Sequence, residues 1–240
     1  MVSRRQDLIL GLLLVVVAAA AVIAVREHKI SSYEVIFYVV LFASVIPHEI
    51  AHGVVALMFG DDTAKRAGRL TANPLVHIDP LGTVIVPAVM LATAGFAFGW
   101  AKPVPVDVSR LRNPRNHAVL VSLAGPALNI SVAVIAGIAY GALVPFSVKI
   151  LEPPFQPLPD QVLFLIGFVN VIVAVFNLIP IPPLDGSAVI ERILPNSWWP
   201  KYLQFRMAFL PVVIILVLLK PGFLADIYNP ALRLWNHLLS

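Results

Sequence analysis

Cysteine is absent from the whole chain of 240 residues. That excludes disulfide staples and thiolate metal ligands, and it leaves the redox compartment open. Charge is the second scarcity. Only 12% of residues are charged while 59% are hydrophobic, where a soluble domain carries about a quarter charged residues. The few charges gather between long uncharged stretches. Such stretches belong in lipid, where every backbone polar group must be paired inside a helix or a closed barrel. Barrel strands alternate apolar and polar residues, and these runs do not. The expectation is an all-α polytopic membrane protein with the lipid bilayer as its surroundings. A net charge of +4 is small for a nucleic-acid binder, so nucleic acid is not an expected partner. No internal repeat or low-complexity tract interrupts the chain, which reads as one membrane-embedded domain over residues 1–240.

Five to six hydrophobic helical segments are expected. The first, residues 8–25, follows Arg4 and Arg5, which set the N-terminus in the cytoplasm. It is long for the apolar part of a signal peptide and reads as a retained N-terminal helix. The second covers 35–59. The third, 81–101, holds Pro87 and several glycines. The fourth covers 118–148. The fifth, 161–184, is helical only to about Ile179, because Pro180, Pro182 and Pro183 forbid a regular helix beyond it. A sixth, 207–219, opens a C-terminal helix and tail over 203–240, whose end reads as an interfacial helix. Trp198, Trp199 and Trp235 read as interface anchors. Lys65, Arg66 and Arg69 follow the second run, and Lys102, Arg110, Arg112 and Arg115 follow the third. Both basic loops lie in the cytoplasm only if 81–101 enters and leaves the bilayer on one side, so this run is either re-entrant or a crossing.

Inside the second run stands His48-Glu-Ile-Ala-His52. Ionisable groups at that depth are expensive and functional by default. On a helix, positions i and i+4 share a face, so His48 and His52 can grip one ion, with Glu49 beside it as general base. Zinc is the usual occupant, commonly with three protein ligands and one open position. Of thirteen acidic residues, Asp79, Asp185 and Glu191 remain as candidates for the third ligand. Asp185 is favoured because it closes a proline-broken segment ahead of Gly186, and broken helices at membrane depth line cavities. His77 and Asp79 read as residues that hydrogen-bond their own loop, and His117 as interfacial.

At these residues the sequence resembles the site-2 protease family of intramembrane zinc metalloproteases. The resemblance rests on His48-Glu-Ile-Ala-His52, on Ala124-Gly-Pro-Ala-Leu-Asn129, and on Asn177 followed by Pro182-Pro-Leu-Asp185-Gly186. Residues 70–82 and 98–105 are similar to one bacterial and archaeal branch. Together they span a core of about 35–190. The resemblance implies one zinc per chain on His48, His52 and Asp185, Glu49 as base, and Asn129 and Asn177 lining the site for substrate or the developing oxyanion. It implies cleavage of transmembrane protein substrates by a multi-pass protein of a prokaryotic cell membrane, in a compact form without room for a PDZ domain. The apolar lengths on either side of the histidines set the site nearer the cytoplasmic face. Two rivals stand beside it: a metal transporter or sensor using the same ligands, and a zinc protease of another family with Glu191 as third ligand.

Overall fold

The computed structural model describes residues 31–85, 101–198, 202 and 223–239. The runs at 8–25 and 207–219, and residues 86–100 of the third run, lie outside the described residues. Among the described residues, three helices are long and apolar enough to cross a membrane: α1 (Ser32–Met58), α2 (Pro114–Leu143) and α3 (Leu158–Leu178). No strand occurs among the described residues. The protein is an all-α membrane protein, as the charge deficit leads one to expect.

Local chemistry explains where each helix begins and ends. α1 starts at a capping box: the Ser31 hydroxyl accepts the Glu34 N–H at 3.1 Å, and the Glu34 carboxylate accepts the Ser31 N–H at 2.6 Å. This polar turn adds three residues ahead of the apolar run that begins at Val35. The helix stops where Gly60 takes a φ of 107°, a conformation that favours glycine. α2 begins in the basic loop rather than at Ala118, because the Asn113 side chain caps it and Pro114 suits a first turn. It ends at Leu143, ahead of Pro145, which holds Val144 extended. α3 carries Pro159 in its first turn and ends at Leu178, one residue before the expected limit.

The three helices pack as a bundle, with Val40, Leu165, Val169 and Val173 at the contact of α1 and α3. Large apolar side chains point outward instead, among them Ile135 (68% exposed) and Leu143 (74%), as lipid-facing positions do. At one end of the bundle the loops after α1 and before α2 join. The Arg112 N–H donates to Phe59 O at 3.0 Å, the Lys102 N–H to His77 O at 2.8 Å, and Arg110 pairs with Asp62 at 2.6 Å. Asp61, buried at this junction, accepts the Asp107 N–H at 2.7 Å and the Thr63 N–H at 3.0 Å. Burial works against its charge, but the Thr63 hydroxyl and these N–H donors outweigh it and hold the carboxyl below its usual range. The described chain on either side of residues 86–100 therefore meets at a single end of the bundle.

A short helix α4 (Ser187–Ile193) follows α3, and α5 (Phe223–Asn236) lies against α3 and α2. Trp235 corrects the sequence expectation. It is not an interface anchor but is buried in the bundle at 4% exposure, its indole N–H donating to Ala133 O at 2.8 Å. Gly137 and Gly167 form its notch; a Cβ on Gly167 would stand 2.2 Å from the ring.

Candidate metal centre

α1 presents His48 and His52 one turn apart, both buried, with their Nε2 atoms 3.1 Å apart. α3 delivers the third group through the chain that leaves it. After Asn177 the three prolines force a compact turn: the Leu184 N–H donates to Ile181 O at 2.9 Å and the Gly186 N–H to Asn177 O at 2.6 Å. Gly186 comes so near the helix end that a Cβ would stand 2.3 Å from Leu178 O. This loop points Asp185 back into the bundle, its Oδ2 3.1 Å from His48 Nε2 and 3.4 Å from His52 Nε2. The short helix that follows the loop, residues 187–193, is braced at its C-terminal end, where Arg115 of α2 donates to the carbonyls of Arg192 and Leu194, both at 3.1 Å.

α2 forms the third wall with a stripe at four-residue spacing: Val121, Gly125 and Asn129. The Val121 carbonyl accepts from His52 Nδ1 at 2.7 Å, and Asn129 Oδ1 accepts from His48 Nδ1 at 2.5 Å. With both Nδ1 atoms donating, both Nε2 atoms present lone pairs. Two nitrogen lone pairs and a carboxylate oxygen thus converge, and Asp185 Oδ2 is buried without a hydrogen-bond partner. Such a cluster of acceptors calls for a cation or a shared proton between its members. Two imidazoles and one carboxylate are a donor set for catalytic zinc. Bonds of about 2.0–2.1 Å to a tetrahedral zinc hold ligands about 3.3 Å apart, close to the three separations here. The residues fit the metal.

The remaining expected residues fall into place around this cluster. Glu49 adjoins His48 on α1, outside the triad, and its Oε2 accepts the Val104 N–H at 2.9 Å. That bond ties the extended segment ahead of α2 to the histidine helix. Asp79 and Glu191 are not brought to the histidines: the Asp79 N–H donates to the Thr83 hydroxyl, and Glu191 accepts from the Tyr202 hydroxyl at 2.6 Å. Asn177 is half-buried at the end of α3 and donates to Val173 O at 3.0 Å. Asn129 borders a cleft between the helices but is only 1% exposed, and both ends of its amide are engaged, one by His48 and the other by Asn170 at 2.5 Å. His77 is fully buried and bonds Thr71 O within its own loop, and His117 stacks on Phe59 with ring centres 4.0 Å apart.

Gly125 stands in the 124–129 motif without any role of its own that the sequence declares. Its position one turn before Asn129 was the available signal, since i and i+4 share a face. A Cβ there would stand 2.5 Å from His48 Cε1 and 2.6 Å from both Nε2 atoms. Gly125→Ala is therefore expected to lower zinc affinity at least tenfold while leaving α2 intact, because alanine favours helix over glycine by about 1 kcal/mol. Zinc content after chelator competition, read beside the unfolding temperature, checks this. Wild-type affinity in the alanine variant would show that the histidine rings do not sit against Gly125.

The family model for Peptidase family M50 matches residues 156–219. The Bacillus subtilis protein named "Putative zinc metalloprotease YwhC" is 40% identical over 166 residues, 69% of this chain and 72% of the relative. The Mycolicibacterium smegmatis protein named "Putative zinc metalloprotease Rip2" is 31% identical over 241 residues, covering 97% of this chain and 84% of its own. No solved structure matches the chain significantly.

Proposed function

Because the chain belongs to peptidase family M50, the site-2 proteases, and is a zinc metalloprotease, we propose that it hydrolyses peptide bonds within or near transmembrane segments of membrane proteins. In this reading His48, His52 and Asp185 hold the metal and Glu49 is the general base. The observation that carries it is the depth of the cluster. His52 lies about 9 Å and His48 about 15 Å from the Met58 end of a helix about 40 Å long, so a substrate bond must reach into the membrane-spanning bundle. The enzymatic reading displaces a transporter or sensor built on the same ligands.

Zinc held there supplies Lewis acidity at the scissile carbonyl and lowers the pKa of water to about 7. The Glu49 carboxylate takes a proton from the attacking water and returns it to the leaving amine nitrogen. Val104 holds one oxygen of that carboxylate, which restrains its rotation. Val121 and Asn129 hold the two imidazoles with Nε2 inward. Asn177 is the amide donor nearest the proline-broken turn that carries Asp185. By exchanging its bond to Val173 O it would reach a substrate carbonyl or the developing oxyanion. A substrate helix must unwind locally to present its bond.

The end of the bundle nearest the cluster is the cytoplasmic one in this reading. Lys65, Arg66, Arg69, Lys102, Arg110, Arg112 and Arg115 lie at that end, and Lys149 is the single basic residue of the 144–157 connection opposite. The positive-inside rule orients the bundle accordingly, in a prokaryotic cell membrane. Lys65→Cys and Arg112→Cys should react with an impermeant thiol reagent only from the cytoplasm, and Glu152→Cys only from outside. On a single-span substrate, mass spectrometry should place the cut within the span or at its cytoplasmic end. Labelling of Arg112→Cys from outside would reverse the orientation, and cuts confined to soluble segments remote from the membrane would end the intramembrane reading.

A further inference from the structure

We propose that Asn170 is a positioning residue for the metal centre: acting through Asn129, it fixes the tautomer and ring orientation of His48. The proposal rests on the reading of His48 as a zinc ligand. Asn170 lies on α3, is 2% exposed, and is not itself one of the three clustered groups; its hydrogen bonds go to Asn129, Ser44 and Ile166. It borders a cleft of about 360 Å³ between the helices whose other lining includes Val39, Val132, Val162 and Ile166. An amide in that setting needs every partner it can find.

The polarity of its bonds is set from the backbone. Asn170 Nδ2 donates to Ile166 O at 2.8 Å and to the Ser44 hydroxyl at 2.9 Å, and that hydroxyl donates to Val40 O at 2.8 Å. Carbonyl oxygens only accept, so Asn170 must present Nδ2 to Ile166 and Oδ1 to Asn129. Asn129 in turn must present Nδ2 to Asn170 and Oδ1 to His48, at 2.5 Å in each case. His48 Nδ1 must then carry the hydrogen and Nε2 the lone pair. Without Asn170, the Asn129 amide has nothing to hold it and can turn its NH₂ towards His48, which selects the tautomer with hydrogen on Nε2, pointing into the metal position. His52 needs no such relay, because Nδ1 donates directly to the Val121 carbonyl. The two histidines are therefore held by different means, and the one on side chains is the vulnerable one. Partners behind metal-ligating histidines typically contribute 10–100-fold in affinity or activity.

A bond that merely joins α3 to α1 and α2 predicts something different, a loss of stability with zinc affinity following it. The test uses the full-length protein in detergent. Asn170→Leu removes the relay, and Asn170→Asp keeps an acceptor towards Asn129 whether its carboxyl is ionised or protonated. Zinc affinity is measured by chelator competition, unfolding temperature on zinc-free protein, and the His48 tautomer by ¹⁵N-imidazole NMR, with the signal assigned from His48→Gln. The expected result is 10–100-fold weaker zinc binding in Asn170→Leu with a mixed His48 tautomer, and affinity within a few fold of wild type in Asn170→Asp. If the leucine variant does not fold, Asn170→Ala takes its place. A leucine or alanine variant with wild-type affinity and an unchanged tautomer overturns the proposal, as does a weakening of equal size in Asn170→Asp. Zinc retained by His48→Ala would overturn the parent reading instead, and the zinc-free tautomer measurement judges the relay separately.

Discussion

Glu49→Gln is expected to keep its zinc and to lose peptide cleavage by about 10³-fold or more. Glutamine has the shape of glutamate, and its carbonyl oxygen can still accept the Val104 N–H, so the segment ahead of α2 stays in place. Glu49 is not one of the three converging groups, so the metal keeps its donors. What glutamine cannot do is take a proton from water. General-base catalysis is worth about 10²–10⁴-fold, and in a site shielded by the bundle no solvent base substitutes freely. Zinc content by atomic spectroscopy and the cleavage rate of a single-span substrate read the two properties apart. A variant that loses both would show that Glu49 acts on the structure of the site rather than on the proton.

The second large effect concerns Asp185. Wild type is expected to hold about one zinc per chain, and Asp185→Ala to lose it beyond the 10–100-fold that a change behind a ligand brings. Two histidines alone would offer two lone pairs 3.1 Å apart and no negative charge. The turn itself should survive, because it is held by main-chain bonds between Leu184 and Ile181 and between Gly186 and Asn177 rather than by the carboxylate. His48→Ala and His52→Ala should behave alike. Stoichiometric zinc in Asp185→Ala would remove Asp185 from the ligand set and return Glu191 to consideration.

Much of this arrangement was legible in the chain because its signals are local. The i, i+4 histidines declare a shared helix face, and Pro180, Pro182 and Pro183 declare where α3 must stop and that something other than helix follows. The turn that brings Asp185 to the histidines uses those prolines together with the close approach of Gly186. What stayed hidden depends on contacts between helices. Gly125 and Asn170 look like ordinary small and polar residues until α1, α2 and α3 are packed, and only then does one prove to leave room and the other to set polarity. Asn129 is expected to line the site from the resemblance alone, and its motif does not say which neighbours engage its amide; His48 and Asn170 do so here. Trp235 departs from its expected interfacial place for a related reason. A tryptophan near the end of an amphipathic helix reads alike whether it meets a lipid headgroup or a notch of glycines, and Gly137 and Gly167 lie far from it in sequence. The ambiguity of residues 81–101 falls largely outside the described residues, yet the bond from Lys102 to His77 brings its two flanks to one end of the bundle.

We propose that this zinc metalloprotease cuts membrane-embedded substrates by proton transfer at Glu49 beside a metal held by His48, His52 and Asp185. The decisive measurement is made in lipid vesicles carrying the purified protein and a single-span substrate, with zinc first removed by chelator and then restored. Wild type is expected to cut only with zinc present, at a bond in or beside the span, and zinc-loaded Glu49→Gln to cut about 10³-fold more slowly or not at all. Cleavage by the zinc-loaded glutamine variant at the wild-type rate, or by wild type stripped of metal, would contradict the proposal.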